Sequence, residues 1–445
     1  MTTQNIPVSN LDQYIAAFEG LEQNGAAQDP AWLRQLRLDA FHRFTELGFP
    51  TARRGNEEWK YTDVGPLAKT AFQSPASTAV PVLDFQSVQP FTYGGATGNR
   101  IVFVNGAYSE SLSSVARHPE SLTLAPFSQA LSLDGDLVQR HLGKNADYKE
   151  QAFVALNTAF LHDGALVHVP EGAVVEEPVL ILHLSADGKD TVTHPRTLVV
   201  AAKDSKVTIL ESYGGLADGA YFANAVTEII LEPGAEVRHY RMQRQSEQAY
   251  HVATTSVTLS EGSSYTSVAL DMGGKLTRNN LNALVAGEGA SCVLNGAYLV
   301  TGRQHVDNQV IIDHASPHTT SRELYKGVLD GRSQAVFHGS IIVQRGAQKV
   351  DAKQEDRNLL LSDHCEADTR PAFWIYADDV KCAHGASSGK LDDDALFYLK
   401  SRGLDEQEAR SLLTKGFVHD ITATIAHESI RAHTEAAVSG WLEKL

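Results

Sequence analysis

Hydrophobic and polar positions follow three patterns along the chain, and the first is helical. Leu11, Tyr14, Ile15, Phe18 and Leu21 recur at three- and four-residue spacing. Leu33, Leu36, Ala40, Phe41, Phe44 and Leu47 form a second apolar stripe. Asp29-Pro30 predicts an N-cap followed by proline at the first helical position, and Gly48 with Pro50 predicts the stop. A short strand, Ile101–Val104, runs into the turn signal Asn105-Gly106. Two further helical patterns lie near Phe127–Leu142 and Tyr148–Leu161.

From about Gly164 short β-branched runs alternate with turns. They read as strands over 165–169, 179–184, 197–201, 206–210, 226–231, 237–241, 256–259, 265–271, 291–300, 309–312, 335–343 and 358–361. Several follow a glycine and a small residue, as at Gly172-Ala173, Gly234-Ala235, Gly262-Ser263 and Gly289-Ala290. The last three of these glycines are 28 and 27 residues apart. A repeat of that length, with strands and tight turns but no helices, predicts a coiled β solenoid. Each coil buries its inward side chains only against the coils above and below, so the ends require caps, and the helical flanks are the candidates. A β-sandwich or jelly roll competes for so many short strands; the repeat spacing favours the solenoid.

The final pattern is helical again. Asp392 opens a helix through Leu396, Phe397 and Leu399 that Gly403 ends. Asp405 and Glu408 read as a capping box for a short helix stopping at Gly416, and an amphipathic helix is expected from Val418 to Trp441. This gives a mainly β protein in three parts: a mostly helical N-terminal domain over 1–160, a solenoid core over 161–386 and a C-terminal helical domain over 387–445. The last part is either a cap on the solenoid or a surface for a partner.

Composition narrows the function. A chain of 445 residues with 42% hydrophobic and 21% charged residues is a soluble type with two or three structural units. A net charge of −16 argues against nucleic acid or an anionic membrane as partner. Three cysteines, Cys292, Cys365 and Cys382, form no disulfide framework and suit a reducing compartment. Residues 1–10 show no basic segment leading into an apolar one, and no apolar run approaches a membrane span, so a cytoplasmic protein is expected.

The chemistry concentrates in Asp378–Ala386, where Cys382 and His384 stand two residues apart. In an extended segment both point to one face and present a sulfur and an imidazole nitrogen together, a pair that suits iron, zinc or an iron–sulfur fragment. Two ligands do not close a metal site, and the bland alternative is a small buried cysteine beside a loop histidine. His305, His314, His318, His338 and His364-Cys365 are further candidates. The HExxH pattern is absent. Gly385–Leu391 imitates a phosphate loop but has three residues between its glycines and leucine after Lys390, so nucleotide chemistry belongs to a partner. The same letters fit a GxSxG elbow at Ser387, with Asp420 and His427 as nominal triad partners; a small-residue loop is the better reading. Upstream, 53–62 mixes charge with Trp59 and Tyr61, either as a docking loop or as an anchor to the body.

Asp379-Val380-Lys381-Cys382-Ala383-His384-Gly385-Ala386, followed by Gly389-Lys390-Leu391-Asp392 and Leu396–Gly403, resembles the C-terminal signature of the SufB/SufD family. Leu359–Ser362, Ala367–Pro371, Tyr376–Asp378, Gly339–Val343 and Ala347–Ala352 continue the resemblance. Glu57-Glu58-Trp59-Lys60-Tyr61-Thr62 is similar to the mark of the SufD branch rather than of SufB. The resemblance runs from about Arg54 onward. It implies a right-handed parallel β-helix between helical ends and a non-enzymatic role in iron–sulfur cluster assembly. It implies pairing with a SufB chain, and binding of the ATPase SufC through about Asp392–Leu445. It further implies a transient cluster at the SufB–SufD interface, with His384 and the nearby Cys382 as metal ligands from this chain. A copy without its partner would pair with itself. The alternative within the family is a subunit that ligates nothing and only positions SufB and SufC. Cys365 departs from the family pattern, and Cys292 is expected to be buried and structural.

Overall fold

In a computed structural model the chain is described at residues 11–24, 29–52, 56–73, 83–95, 98–115, 120–186 and 189–445. The absent leader read at 1–10 and the start of the charged loop, 53–55, lie outside these residues.

Two long sheets face each other. The first runs in space as β2 (Ala107–Tyr108), β1 (Asn99–Val104), β5 (Val179–Ser185), β8 (Lys206–Gly215), β10 (Glu236–Arg244), β12 (Ser264–Asp271), β14 (Ser291–Val300), β16 (Thr320–Leu329), β18 (Asp351–Leu360) and β20 (Lys381–Gly389). The second runs as β3 (Thr123–Pro126), β4 (Ala165–Val169), β7 (Arg196–Ala201), β9 (Ala220–Leu231), β11 (Tyr250–Leu259), β13 (Leu276–Val285), β15 (His305–His314), β17 (Gln334–Val343) and β19 (Glu366–Ile375), with β6 (Lys189–Thr193) beside β9. From β7 onward consecutive strands alternate between sheets and pair in parallel with the strand of the next coil; β1–β2 and β3–β4 pair antiparallel. This is a parallel β-solenoid of about eight turns. From β8 onward the first-sheet strands start at 206, 236, 264, 291, 320, 351 and 381, so a coil takes 27–31 residues.

One corner of each coil needs a left-handed residue. Gly234, Gly262 and Gly289 supply it with φ of 74°, 62° and 71°. Asp204, His318 and Lys349 take the same conformation at the equivalent corners, with φ of 58°, 59° and 62°. His318 is therefore a turn residue. Between the sheets Ile209, Val237, Val257, Leu294, Val310, Ile341 and their neighbours make one continuous apolar core.

The N-terminal helices α1 (Leu11–Asn24) and α2 (Ala31–Leu47) join α6 (Ala152–Ala159) over the outer face of the second sheet. Phe18 stacks on Phe41 at 4.0 Å, and Tyr14, Phe44, Phe153 and Phe160 fill the contact. Short α3 (Gly65–Lys69) and α4 (Phe85–Val88) and the longer α5 (Phe127–His141) complete this region. The N-cap of α2 is Pro30, one residue later than expected, because Asp29 turns to Arg37 at 2.6 Å instead of capping. A fully buried Arg196–Glu228 pair, 2.5 Å apart, ties the layers together. Arg196 donates to Asn157 and Thr158 on α6, and Glu228 accepts the N–H groups of Gly143, Asn145 and Ala146.

The C-terminal helices are α7 (Asp393–Ser401), α8 (Glu406–Thr422) and α9 (Glu428–Leu442). The Asp405–Glu408 capping box is present. Gly416 does not stop α8, which continues to Thr422; the break falls at 423–427, so α9 starts ten residues after Val418. Nothing presses on the Gly416 position, so the helix passes through it with only glycine's ordinary propensity cost. Val418, Ile421, Ile425 and Trp441 pack with Met242, Leu270, Leu299 and Val328 on the flank of the first sheet. Lys326, buried on β16, reaches the Phe417 carbonyl at 2.8 Å and Asp420 at 2.5 Å. α8 and α9 clamp the side of the solenoid and do not cap its end.

Candidate functional site at the open end coil

The sheets end in β20 and β19, and each leaves one strand edge without a partner among the described residues. Trp374, at 52% exposure, Ile375 and Tyr376 stand exposed where β19 ends. Lys381 N–H donates to the O of Val350, the residue just before β18. By the alternation of a parallel ladder, the N–H groups of Cys382, His384 and Ala386 then face the open edge.

Cys382 and His384 both sit on β20 and point inward, as the two-residue spacing predicts. Cys382 is half-buried against the core, in the column that holds Tyr265, Cys292, Ser321 and Ala352 on earlier coils. Burial pushes its thiol up, and the Asp351 carboxylate adds to that while the Ala352 backbone opposes it. His384 is exposed, and its ring stacks on Phe373 of the facing strand at 4.3 Å and 27°. Its column continues inward through Gln354, Glu323 and Leu294. The pair thus stands in the open mouth of the last coil.

The other candidates are not brought to it. His314 is buried between the Thr319 and Ser321 hydroxyls at 2.8 and 2.9 Å, and burial lowers its pKa to about 4. His305 meets Thr62 at 2.9 Å, and burial lowers its pKa too. His338 lines a cavity of about 320 Å³ on the outer face of the second sheet, under Lys60 and Tyr61. His364 is exposed in the turn before β19. Cys365 donates to Ser362 O at 3.1 Å. Cys292 is fully buried, and desolvation raises its pKa. Among the described residues no three His, Cys, Asp or Glu side chains converge to hold a metal. Residues Gly385–Gly389 are strand and neither phosphate loop nor elbow. Lys390 is paired with Asp363 at 2.5 Å, Asp420 with Lys326, and His427 with Ser429 at 3.0 Å. Trp59 is buried under Arg278 at 4.0 Å, and Thr62 and Arg278 both bond Asp307, so this segment is an anchor; of its two aromatic residues Tyr61 is the exposed one.

Sequence reading missed a polar file inside the solenoid. Glu211 accepts from Thr197, Thr227 and Tyr213 at 2.9–3.1 Å and faces His239 at 3.1 Å. Asp356 is held by Tyr298 and Asn358 at 3.0 and 2.7 Å. Glu323 accepts from Gln354 at 2.8 Å. Only the coil register, applied strand by strand, puts Glu323 and Gln354 in the column of His384, and Glu211 and Asp356 in the column of Ala386, two residues on.

Fold and site together define a parallel β-solenoid whose uncovered terminal coil carries a thiol and an imidazole. Residues 183–417 match the SufBD core domain of the SUF iron–sulfur cluster assembly system, and residues 8–181 match the SufBD N-terminal region. An iron–sulfur cluster assembly SufBD family protein of Synechocystis is 32% identical over 446 residues, covering 98% of this chain and 97% of its own. SufD of Escherichia coli is 27% identical over 437 residues, 96% of each chain. SufB of Bacillus subtilis is 24% identical over 413 residues, 90% of this chain and 87% of its own. The chain belongs to the SufBD family of iron–sulfur cluster assembly proteins. No helix among the described residues is long and apolar enough to cross a membrane.

Proposed function

We propose that this chain is a SufD-type subunit of a cytoplasmic cluster-assembly scaffold. It pairs with a SufB-type chain through the open end of its solenoid, carries a SufC-type ATPase on its C-terminal helices, and offers His384 and Cys382 to a nascent iron–sulfur cluster. Iron and sulfide are cargo here. The uncovered last coil, with both donors in its mouth, carries the reading. An unpaired strand edge is a template for another strand, and a second chain docked there supplies the ligands this chain lacks. In that division of labour 1–160 braces the solenoid, 161–386 forms the coil stack, and 387–445 receives the ATPase. The surface of α7 favours the last role, because none of its side chains is buried and Phe397 and Tyr398 are 74% and 56% exposed. Nucleotide is bound by the ATPase and not by this chain. Without a SufB-type chain the same edge pairs two copies of this one.

The chain's own chemistry is ligation. An imidazole nitrogen binds iron only when its lone pair is free, and a thiol only as thiolate, so protons compete with the metal for these donors. The raised pKa of Cys382 makes His384 the readier donor. It also favours a second reading, in which this subunit only positions its partners. Co-expression with SufB and SufC, anaerobic purification, and assay of iron and acid-labile sulfide separate the two. His384→Ala leaves the complex assembled and poorly loaded if the chain ligates. Equal loading in wild type and variant makes it a positioning subunit.

A further inference from the structure

A histidine that ligates metal through one ring nitrogen needs an acceptor for the N–H of the other, and that second contact sets its tautomer and orientation. No residue adjacent in sequence meets this need for His384. The stacking on Phe373 engages the ring's face, and a face contact makes no hydrogen bond to either ring nitrogen. The coil below holds Gln354 in direct register with His384, and the coil below that holds Glu323 in register with Gln354. Adjacent strands lie about 4.8 Å apart, within reach of a carboxamide.

Gln354 is fully buried, and its two amide arms differ. Nε2 donates to Glu323 Oε2 at 2.8 Å. Oε1 is buried and has no hydrogen-bond partner among the described residues. The space around the amide is cut to fit: a Cβ on Gly339 of the facing strand would lie 1.9 Å from Gln354 Nε2. A buried acceptor without a donor is costly, about 1–3 kcal/mol, and a fold does not keep one idly.

We propose that Gln354, held by Glu323, is a positioning residue for His384: its free Oε1 accepts the N–H of one imidazole nitrogen and leaves the lone pair of the other for the metal. The inference rests on the reading of His384 as a ligand and extends it inward by two coils. Glu323 fixes which arm of the amide turns to the histidine. Gly339 leaves the amide its place.

The test uses the full chain with histidine-selective 15N labelling, the His384 signals being assigned by their loss in His384→Ala. Its two readouts are the ring-nitrogen shifts of the metal-free chain and the affinity for Co2+. Wild type is expected to show one neutral tautomer at His384. Gln354→Met, close in volume and without an acceptor, is expected to show a tautomer mixture and Co2+ binding weaker by about 10–100-fold. Wild-type shifts and affinity in Gln354→Met overturn the proposal. So does a tautomer mixture in wild type, which decides the matter even if the variant does not fold. Co2+ binding unchanged in His384→Ala overturns the ligand reading instead, while the shifts still judge the Gln354 contact.

Discussion

Glu323 gives a stability prediction that is independent of any cluster. Its carboxyl is buried, and among the described residues Gln354 is the one donor to it. Burial pushes its pKa from the ordinary 4.5 up to about 8, against the opposing hydrogen bond from Gln354. Below about pH 4.5 both the folded and the unfolded chain carry the proton, and the group costs nothing. Between there and pH 8 the unfolded chain releases its proton while the folded one keeps it, so stability falls by up to about 1.4 kcal/mol per pH unit. Above pH 8 the full cost is present, on the order of 5 kcal/mol. Glu323→Gln keeps the shape and an acceptor and removes the titration. Urea midpoints of wild type and variant measured from pH 5 to pH 9 should therefore diverge, the variant gaining as pH rises. Asp356, pushed up to about 6 by burial, titrates in both chains, and its carboxylate adds to the rise at Glu323. A difference between the two proteins that stays flat across this range refutes the reasoning.

Glu228→Ala leaves the buried Arg196 uncompensated and should cost about 3–5 kcal/mol in urea unfolding. Cys292→Ser puts a hydroxyl at a fully buried position and should cost about 1–3 kcal/mol, with the iron and sulfide of the co-purified complex unchanged. Ala386→Pro removes an N–H that faces the open edge, so native mass measurement should show lost pairing while the melting temperature of the isolated chain holds.

The solenoid was legible where its corners are glycine and its strands apolar on both faces. β14 carries Cys292-Val293-Leu294 and was read to its ends. β13, β16, β19 and β20 were not read as strands, because runs such as Leu276-Thr277-Arg278-Asn279-Asn280 and Thr320-Ser321-Arg322-Glu323 look like loop. Their polar residues are buried in partnerships that form only once coils stack, as Arg278 with Asp307 and Glu323 with Gln354. The repeat faded for a related reason. Asp204, His318 and Lys349 hold the corner that glycine holds elsewhere, and composition alone does not reveal a left-handed residue. At the site, the spacing of Cys382 and His384 gave their shared face correctly. Their companions in the interior are set by a register of about thirty residues, which no local pattern carries.

The link between the edge strand and the first C-terminal helix is short. β20 ends at Gly389 and α7 begins at Asp393, so three residues join them. Three residues fully stretched span about 10 Å. α8, by contrast, is riveted to an earlier coil through Lys326 and Asp420. A body that grips α7 therefore holds a short cord whose far end is the strand bearing Cys382 and His384. Once the slack is used, any further displacement of α7 is spent peeling β20 from β18, one ladder pair after another from the Gly389 end.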